Sequence, residues 1–324
     1  MMGKRQSKTG GFLSSARALS LPPGEHVDAE GLGGYHIDLS VKADETGWPP
    51  PWLRPSAPYV VHAQWALGSY ERYLKTRDER WLEWALAAAR DLARSQEPAG
   101  PLNGGLVHRE RFPHTFRLSP PWLSAMAQGQ AASLLVRLYR ETGDADLAHA
   151  ASRALLPLDV PVAEGGVRAE LDGGPFYEEY PTTPSSYVLN GGIFALWGCR
   201  DVAVALGDSA ASRLWQEGLE VLVTTIDRWD MGFWSRYDLY PHAVPNVASS
   251  FYHVLHTDQL RALHRLEARP ELGRALERFT GYLASRRSRA EAFARKALFR
   301  LVVPRNRLLA NRFPWKRPRL DASA

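Results

Sequence analysis

The sequence predicts a mainly α fold: an incomplete α/α toroid of about four helical hairpins, with short β-arms between the repeats. Three observations predict it. A two-helix unit recurs at a period of roughly 63 residues, longer than common helical solenoid repeats, its first helices beginning near 62, 125, 188 and 250. In three units a short polar turn, TRD, TGD or LGD, splits the pair and supplies Asp78, Asp144 and Asp208 as helix N-caps. Within the helices, apolar residues recur at helical spacing, as in Leu134, Leu135, Leu138 and Tyr139 or Leu219, Leu222, Val223 and Ile226.

In chain order, residues 1–30 read as irregular with a basic start. Gly33 to Asp44, GGYHIDLSVKAD, alternates as a strand or hairpin arm does. The prolines of TGWPPPWLRPSAP exclude helix and predict a rigid coil against the body. The first hairpin spans Tyr59 to Lys75 and about Arg80 to Gln96. It returns as AMAQGQAASLLVRLYRETGD with ADLAHAASRALLPL, as YVLNGGIFALWGCRDVAVALGD with SAASRLWQEGLEVLVTTI, and as SSFYHVLHTDQLRALHRLEARP with ELGRALERFTGYLAS. The intervening GGLVHRERF, GGVRAEL and GFWSRYDLY read as β-arms at one end of the bundle. Small residues in AMAQGQAAS and LNGGIFAL suit a crowded inner wall. Three regions follow: an extended or β segment over 1–57, the toroid over 58–285, and a basic amphipathic tail over 286–324.

Composition narrows the class. Charged residues make up 23% and hydrophobic residues 45%, as in ordinary globular enzymes. The single cysteine, Cys199, excludes internal disulfides and a cysteine-rich metal site, and a cytoplasmic setting is expected. Neither a signal peptide nor a run of about 20 apolar residues is visible. The net charge of +5 belongs to the tail: residues 286–319 hold twelve Lys and Arg and one acid, Glu291, leaving a body with 28 basic and 34 acidic residues. Eleven Trp and 12 Tyr fit either carbohydrate-stacking platforms or large helical cores.

The chemistry concentrates in EEYPTTPSSYVLNGG, Glu178 to Gly192, where two carboxylates and a phenol precede a rigid Pro-Thr-Thr-Pro turn and a helix. In a toroid every inner helix starts at the same end, so this loop, the arm around 237 and the helix start at 252 converge there. Glu179, Tyr180, Tyr237 and Tyr252 thereby become neighbours. A phenol of ordinary pKa about 10 is a poor base unless cations or donors stabilise the phenolate. Arg236, His253 and His256 are the cationic neighbours in sequence, and the set suits proton transfer at carbon. The same tyrosines could equally be rim or core aromatics. His253 and His256 have an i, i+3 spacing that metals use, but no third ligand accompanies them, so no metal is expected. Glu178 and Glu179 are adjacent and should diverge. Ser185 and Ser186 read as the helix cap, and Gly191-Gly192 as a packing contact.

These strings, SAMAQGQAASLLVRLY, EEYPTTPSSYVLNGG and YDLY with NVASSFYHVLHTDQL, resemble the D-glucuronyl C5-epimerase family of heparan sulfate and heparin biosynthesis. The resemblance covers residues 100–285 well and 33–96 more weakly. It implies inversion of glucuronate to iduronate at C5 within a polysaccharide, with no redox cofactor. It implies catalytic roles for Glu179, Tyr180, Tyr237 and Tyr252. Substrate contacts are implied for Asn190, for Asn246 to Leu255 with His253, and less securely for Gln64 and the 109–113 loop. His256 follows within the matching string as a further candidate. The calcium site of the longer eukaryotic members is not carried over. One departure stands out: the family has an arginine three residues after the tyrosine of YDL, and here it is Tyr240. Arg236 or Arg117 would then take the acidic-group contact. A uronate lyase and a non-catalytic glycan-binding toroid are the competing functions. A homodimer is compatible with the sequence, and no nucleic-acid partner is expected.

In the tail, Phe293, Ala297 and Leu301 fall on one helical stripe with Arg295, Lys296 and Arg300 around it. A basic amphipathic helix predicts docking on an anionic membrane surface, the inner membrane, over 286–319, with an acidic glycan as the other candidate partner and a solvated helix as the plain alternative.

Overall fold

A computed structural model describes residues 21–111 and 115–304. It is mainly helical, with nine α-helices and one two-stranded antiparallel ladder among the described residues. The four hairpins are α1 (Tyr59–Thr76) with α2 (Glu79–Arg94), α3 (Ala125–Thr142) with α4 (Ala145–Ala154), α5 (Leu189–Leu206) with α6 (Ser209–Thr225), and α7 (Ser250–Leu266) with α8 (Pro270–Ala284). The three-residue turns work as punctuation. Arg77, Gly143 and Gly207 take left-handed φ values of 56°, 73° and 65° and end α1, α3 and α5. The next residues, Asp78, Asp144 and Asp208, accept the backbone N–H of Arg80, Asp146 and Ala210 and so begin the partner helices. Each such cap contributes about 1 kcal/mol.

The first helices succeed one another inside: α1 packs on α3, α3 on α5, and α5 on α7. Burial separates the two rows. Every residue of α3 from Ala125 to Leu138 is buried, as is every residue of α5 from Leu189 to Cys199. α2 instead buries only a stripe, Trp81, Ala85, Ala88, Ala89 and Leu92, as an outer helix does. The tightest crossing is α3 on α5, where a Cβ on Gly198 would fall 2.4 Å from the Gly129 Cα. The small-residue strings therefore mark the crowded inner wall, as expected.

Three expectations about local structure need correction. Gly33 to Asp44 forms no strand; it has a single bridge, Pro23 to Ile37, and ends in a 3-10 turn, Ser40–Lys42. Its backbone bonds run to residues 22–26, with Gly24 N–H donating to His36, Gly34 N–H to His26 and Asp38 N–H to Pro22, and side chains satisfy others: Tyr35 N–H donates to Glu71, and the Arg137 guanidinium to the Gly34 carbonyl. Of the three β-arms only GGVRAEL makes a ladder, β1 (Arg168–Leu171) pairing with β2 (Gly174–Tyr177). GGLVHRERF and GFWSRYDLY contribute isolated bridges, His108 to Trp122 and Arg236 to Val247 among them. Ser185 and Ser186 do not cap α5: its N-cap is Val188, without a side-chain bond, because Ser186 turns inward to the buried Glu178.

The tail begins as α9 (Arg286–Val302), directly after α8. It leans on the body through buried Ala292 and Phe299, the Phe299 ring lying 5.1 Å from that of His242. The irregular start expected for residues 1–20 and the tail beyond residue 304 lie outside the described residues.

Candidate active site

The loop from Glu178 to Val188 is fixed at several points. β2 ends at Tyr177, and the Glu178 N–H donates to the Val167 carbonyl at 2.8 Å while its own carbonyl accepts the Ala125 N–H at 2.9 Å. The loop is thus tied to the hairpin and to the first turn of α3. On its other side Leu239 N–H donates to Ser186, and Leu189 N–H to Tyr237. The 178–188 and 237–239 segments are therefore held side by side, and Tyr237 N–H in turn donates to the Asn246 carbonyl at 2.8 Å.

Adjacent Glu178 and Glu179 diverge. Glu178 turns inward, accepting the Ser186 hydroxyl and the Tyr187 N–H at 3.0 Å. Burial raises its pKa to about 8 despite those bonds, and it acts as a strut under the loop. Glu179 faces a cavity of about 200 Å³, the scale of one sugar ring. Burial pushes its carboxyl up to about 7, partly offset by hydrogen bonds to Tyr180 and Asn190. The Asn190 Nδ2 lies 3.5 Å from Oε2. Only glycine at 191 leaves room for it, since an added Cβ would sit 2.5 Å from the Glu179 Cβ and Oε2.

The phenols gather around this carboxylate. Tyr180 lines the cavity beside Glu179, to which it is hydrogen-bonded. Burial raises its pKa well above the usual value, and the Glu179 charge raises it further. Tyr237 is buried, and burial raises its pKa likewise. Its ring meets that of Tyr252 edge-on at 4.6 Å, and Tyr252 lines the same cavity with Gln64 and Asn190. A carboxyl titrating near neutrality beside phenols that stay protonated can accept a proton at one point and donate one at another.

The other sequence candidates are placed elsewhere. His253 and His256 are fully buried and share Ser235: its Oγ lies 2.7 Å from His253 Nδ1 and 2.9 Å from His256 Nδ1. His253 stacks on Trp234 at 3.8 Å. Burial lowers His253 to about 4 and His256 well below the usual value, so both are neutral core groups and not cations for a phenolate. Arg236 precedes Tyr237, bridges Val247 through its backbone and lies outside the cavity lining. Arg117 is exposed and also outside it. Asn246 is buried behind Tyr237, donating to Asp238 and accepting the Lys296 ammonium at 2.8 Å, so it braces the wall. Tyr240 packs its ring against those of Phe116 and His242 and is buried.

Several lining residues escaped the sequence reading. Lys42 reaches the cavity from the 3-10 turn, and burial lowers its pKa. Met126 lines it from the start of α3, beside Phe251 at the start of α7, which falls in the Asn246 to Leu255 stretch already implied. His108, stacked on Trp122 at 3.9 Å, separates the cavity from a second, larger groove of about 640 Å³. That groove carries Trp52, Arg54, Arg109 and Arg111, and it shares Pro58, Val61, His108 and Trp122 with the first cavity. Lys42 gave no signal because its segment read as a strand. Among the described residues no group of three His, Cys, Asp or Glu side chains could hold a metal ion.

The comparisons with known proteins fall on this same region. A family model described as the D-glucuronyl C5-epimerase C-terminus matches residues 102–281. A D-glucuronyl C5-epimerase of Caenorhabditis elegans is 32% identical over 222 residues, which are 63% of this chain and 35% of that protein. An uncharacterised protein of Methanocaldococcus jannaschii is 31% identical over 153 residues, 46% of this chain and 48% of that protein. The chain thus spans between a third and a half of the length of these relatives. With more than half of its length matched, and with Glu179, Tyr180, Tyr237 and Tyr252 all inside the matched span, the chain belongs to the D-glucuronyl C5-epimerase family.

Proposed function

We propose that this protein inverts C5 of glucuronate residues within an acidic, heparosan-like polysaccharide, giving iduronate by removal and return of a proton. The observation that carries the reading is that Glu179, Tyr180 and Tyr252 line one cavity, with the Tyr237 ring against Tyr252.

The C5 hydrogen lies α to a carboxylate, so its removal builds an enolate-like dianion whose charge the site must stabilise. Glu179, with a pKa near 7, is the base that takes the C5 proton; Tyr180 lies hydrogen-bonded beside it. The electron pair moves into the sugar carboxylate. Lys42 and Asn190 receive that developing charge, an anionic ligand restoring the full charge that burial disfavours on Lys42. Tyr252 returns a proton to the opposite face of C5, and Tyr237, buried against it, keeps its ring in place. The reverse reaction exchanges the two roles. In the substrate only C5–H is broken and re-formed, so product and substrate are isomers; Glu179 then releases its proton to solvent and the Tyr252 phenolate takes one up, which resets the site.

The adjoining groove supports a polymeric substrate. One ring fills the cavity, and neighbouring sugars run past the His108–Trp122 wall toward Trp52, Arg54, Arg109 and Arg111, which offer an aromatic face and positive charge. The test is incubation with heparosan, plain and N-sulfated, in deuterated water, read by NMR at C5. Deuterium at C5 together with iduronate is the expected result. An unsaturated product absorbing in the near ultraviolet would instead make the protein a lyase, and binding without exchange would make it a glycan-binding module.

A further inference from the structure

The helix α9 has two apolar faces, and only one is used by the fold. Ala292 and Phe299 are buried against the body, whereas Phe293 is 78% exposed, Leu301 71% and Leu298 50%. At 100° per residue Phe293, Ala297 and Leu301 lie on the side away from Ala292 and Phe299, with Ala290 and Ala294 beside them. All these residues are exposed. Phe293, Leu301 and Leu298 are the most exposed of the large apolar side chains in the α-helices among the described residues, and they fall within nine residues.

Charge surrounds that stripe. Arg286, Arg287 and Arg289 are exposed on the first turn, and Arg295 and Arg300 lie further along; Arg295 pairs with Glu291, the single acid of the helix. The sequence beyond the described residues continues in kind: 305–319 contains six Lys and Arg, no acid, and Phe313 and Trp315. No helix among the described residues is long and apolar enough to cross a membrane. An exposed apolar stripe flanked by arginines on a helix fixed parallel to the protein surface is the pattern of an element that lies in a lipid interface.

We propose that the outer face of α9 docks this protein on a bilayer bearing anionic headgroups, with Phe293, Leu298 and Leu301 entering the acyl boundary and Arg286, Arg287 and Arg289 resting on the phosphates. The inner face of the same helix holds the wall of the candidate active site: Lys296 donates to Asn246 and to the Val247 carbonyl at 2.7 Å, and its ammonium lies 5.9 Å from the Tyr237 ring centroid. Docking therefore fixes the orientation of the site relative to the membrane without using any group that lines the cavity.

The test is sedimentation of the full chain with vesicles of pure phosphatidylcholine and of phosphatidylcholine mixed with phosphatidylglycerol, at low and high salt. Binding to the mixed vesicles, weakened by salt, is expected. Phe293→Glu with Leu301→Glu should lower that partition at least about tenfold, and each of Arg286→Gln, Arg287→Gln and Arg289→Gln about fivefold, with circular dichroism unchanged. Equal partition of the double variant and the parent overturns the proposal, as does binding to neither vesicle. So does a light-scattering mass of a dimer that the double variant converts to monomer, since a second copy would then cover the face. These readouts do not depend on epimerisation, so they stand or fall separately from the proposed activity.

Discussion

Two buried polar clusters of this protein meet opposite fates. In the first, Arg137 and Asp201 are both fully buried and joined at 2.6 Å, with His36 3.0 Å from the same carboxylate. The guanidinium also donates to the Gly31, Gly34 and Ser133 carbonyls, stapling the N-terminal coil to α3 and α5. Burial works to raise the Asp201 carboxyl, but Arg137 and His36 outweigh it and hold it below the usual carboxylate range. In the second cluster Glu179 has phenols and an amide for company, and its carboxyl rises. Asn190 lines the cavity with its Oδ1 buried and unpartnered. The first cluster is complete and builds the fold. The second has, among the described residues, Lys42 as the one cation along the cavity lining and no cation against Glu179, and it has a proton to exchange near neutral pH.

Exchanging the roles of the two clusters should fail in characteristic ways. Glu179→Gln should lower C5–H exchange by about 10³-fold while the Tm holds or rises; a rate within tenfold of the parent would remove Glu179 as the base. Arg137→Leu should do the reverse, costing about 3–5 kcal/mol by leaving Asp201 buried without its partner, and an unchanged denaturation midpoint would contradict the structural role given to the pair. Gly191→Ala, which pushes on the Glu179 side chain, should reduce turnover about 10²-fold with little effect on stability. Lys42→Met should raise KM by about tenfold if it holds the sugar carboxylate, and steady-state kinetics at several polymer concentrations would show this.

The smallest effect is on pH. The folded pKa of Glu179, about 7, lies above its ordinary 4.5, so the protonated form favours the folded state. That contribution is complete below the unfolded value and is lost as pH rises through about 7. Parent and Glu179→Gln should therefore melt together near pH 4, below the unfolded value, and separate progressively up to pH 8, with the variant higher. Parallel melting curves across that range would mean that the carboxyl is not perturbed.

The helical frame was legible because its signals are local. Caps and breaks at Asp78, Asp144 and Asp208 are contained in three letters each, and the hairpin starts follow from the repeat. The gathering of Glu179, Tyr180, Tyr237 and Tyr252 was legible once the repeat placed all inner-helix starts at one end. What the letters did not carry was direction. His253 and His256 adjoin Tyr252 in the chain, yet the turn of α7 sends them into the core, and Arg236, next to Tyr237 in the chain, lies outside the cavity lining. Ser186 reads as a cap, but the buried carboxylate of Glu178 claims its hydroxyl. Lys42 enters the cavity only because its segment coils back over α1, a long-range fact with no periodic trace.

The contact between Gly129 and Gly198 has a mechanical consequence. α3 and α5 touch through main-chain atoms, so their separation is set by the thickness of the polypeptide itself. Trp122, Ser124 and Met126 at the head of one helix, and Glu179 and Asn190 at the head of the other, inherit that spacing as two jaws of a vice whose screw has been welded. Changes at the mouth can alter which sugar chain enters, but the gauge across which a proton must hop stays constant as long as neither position acquires a side chain.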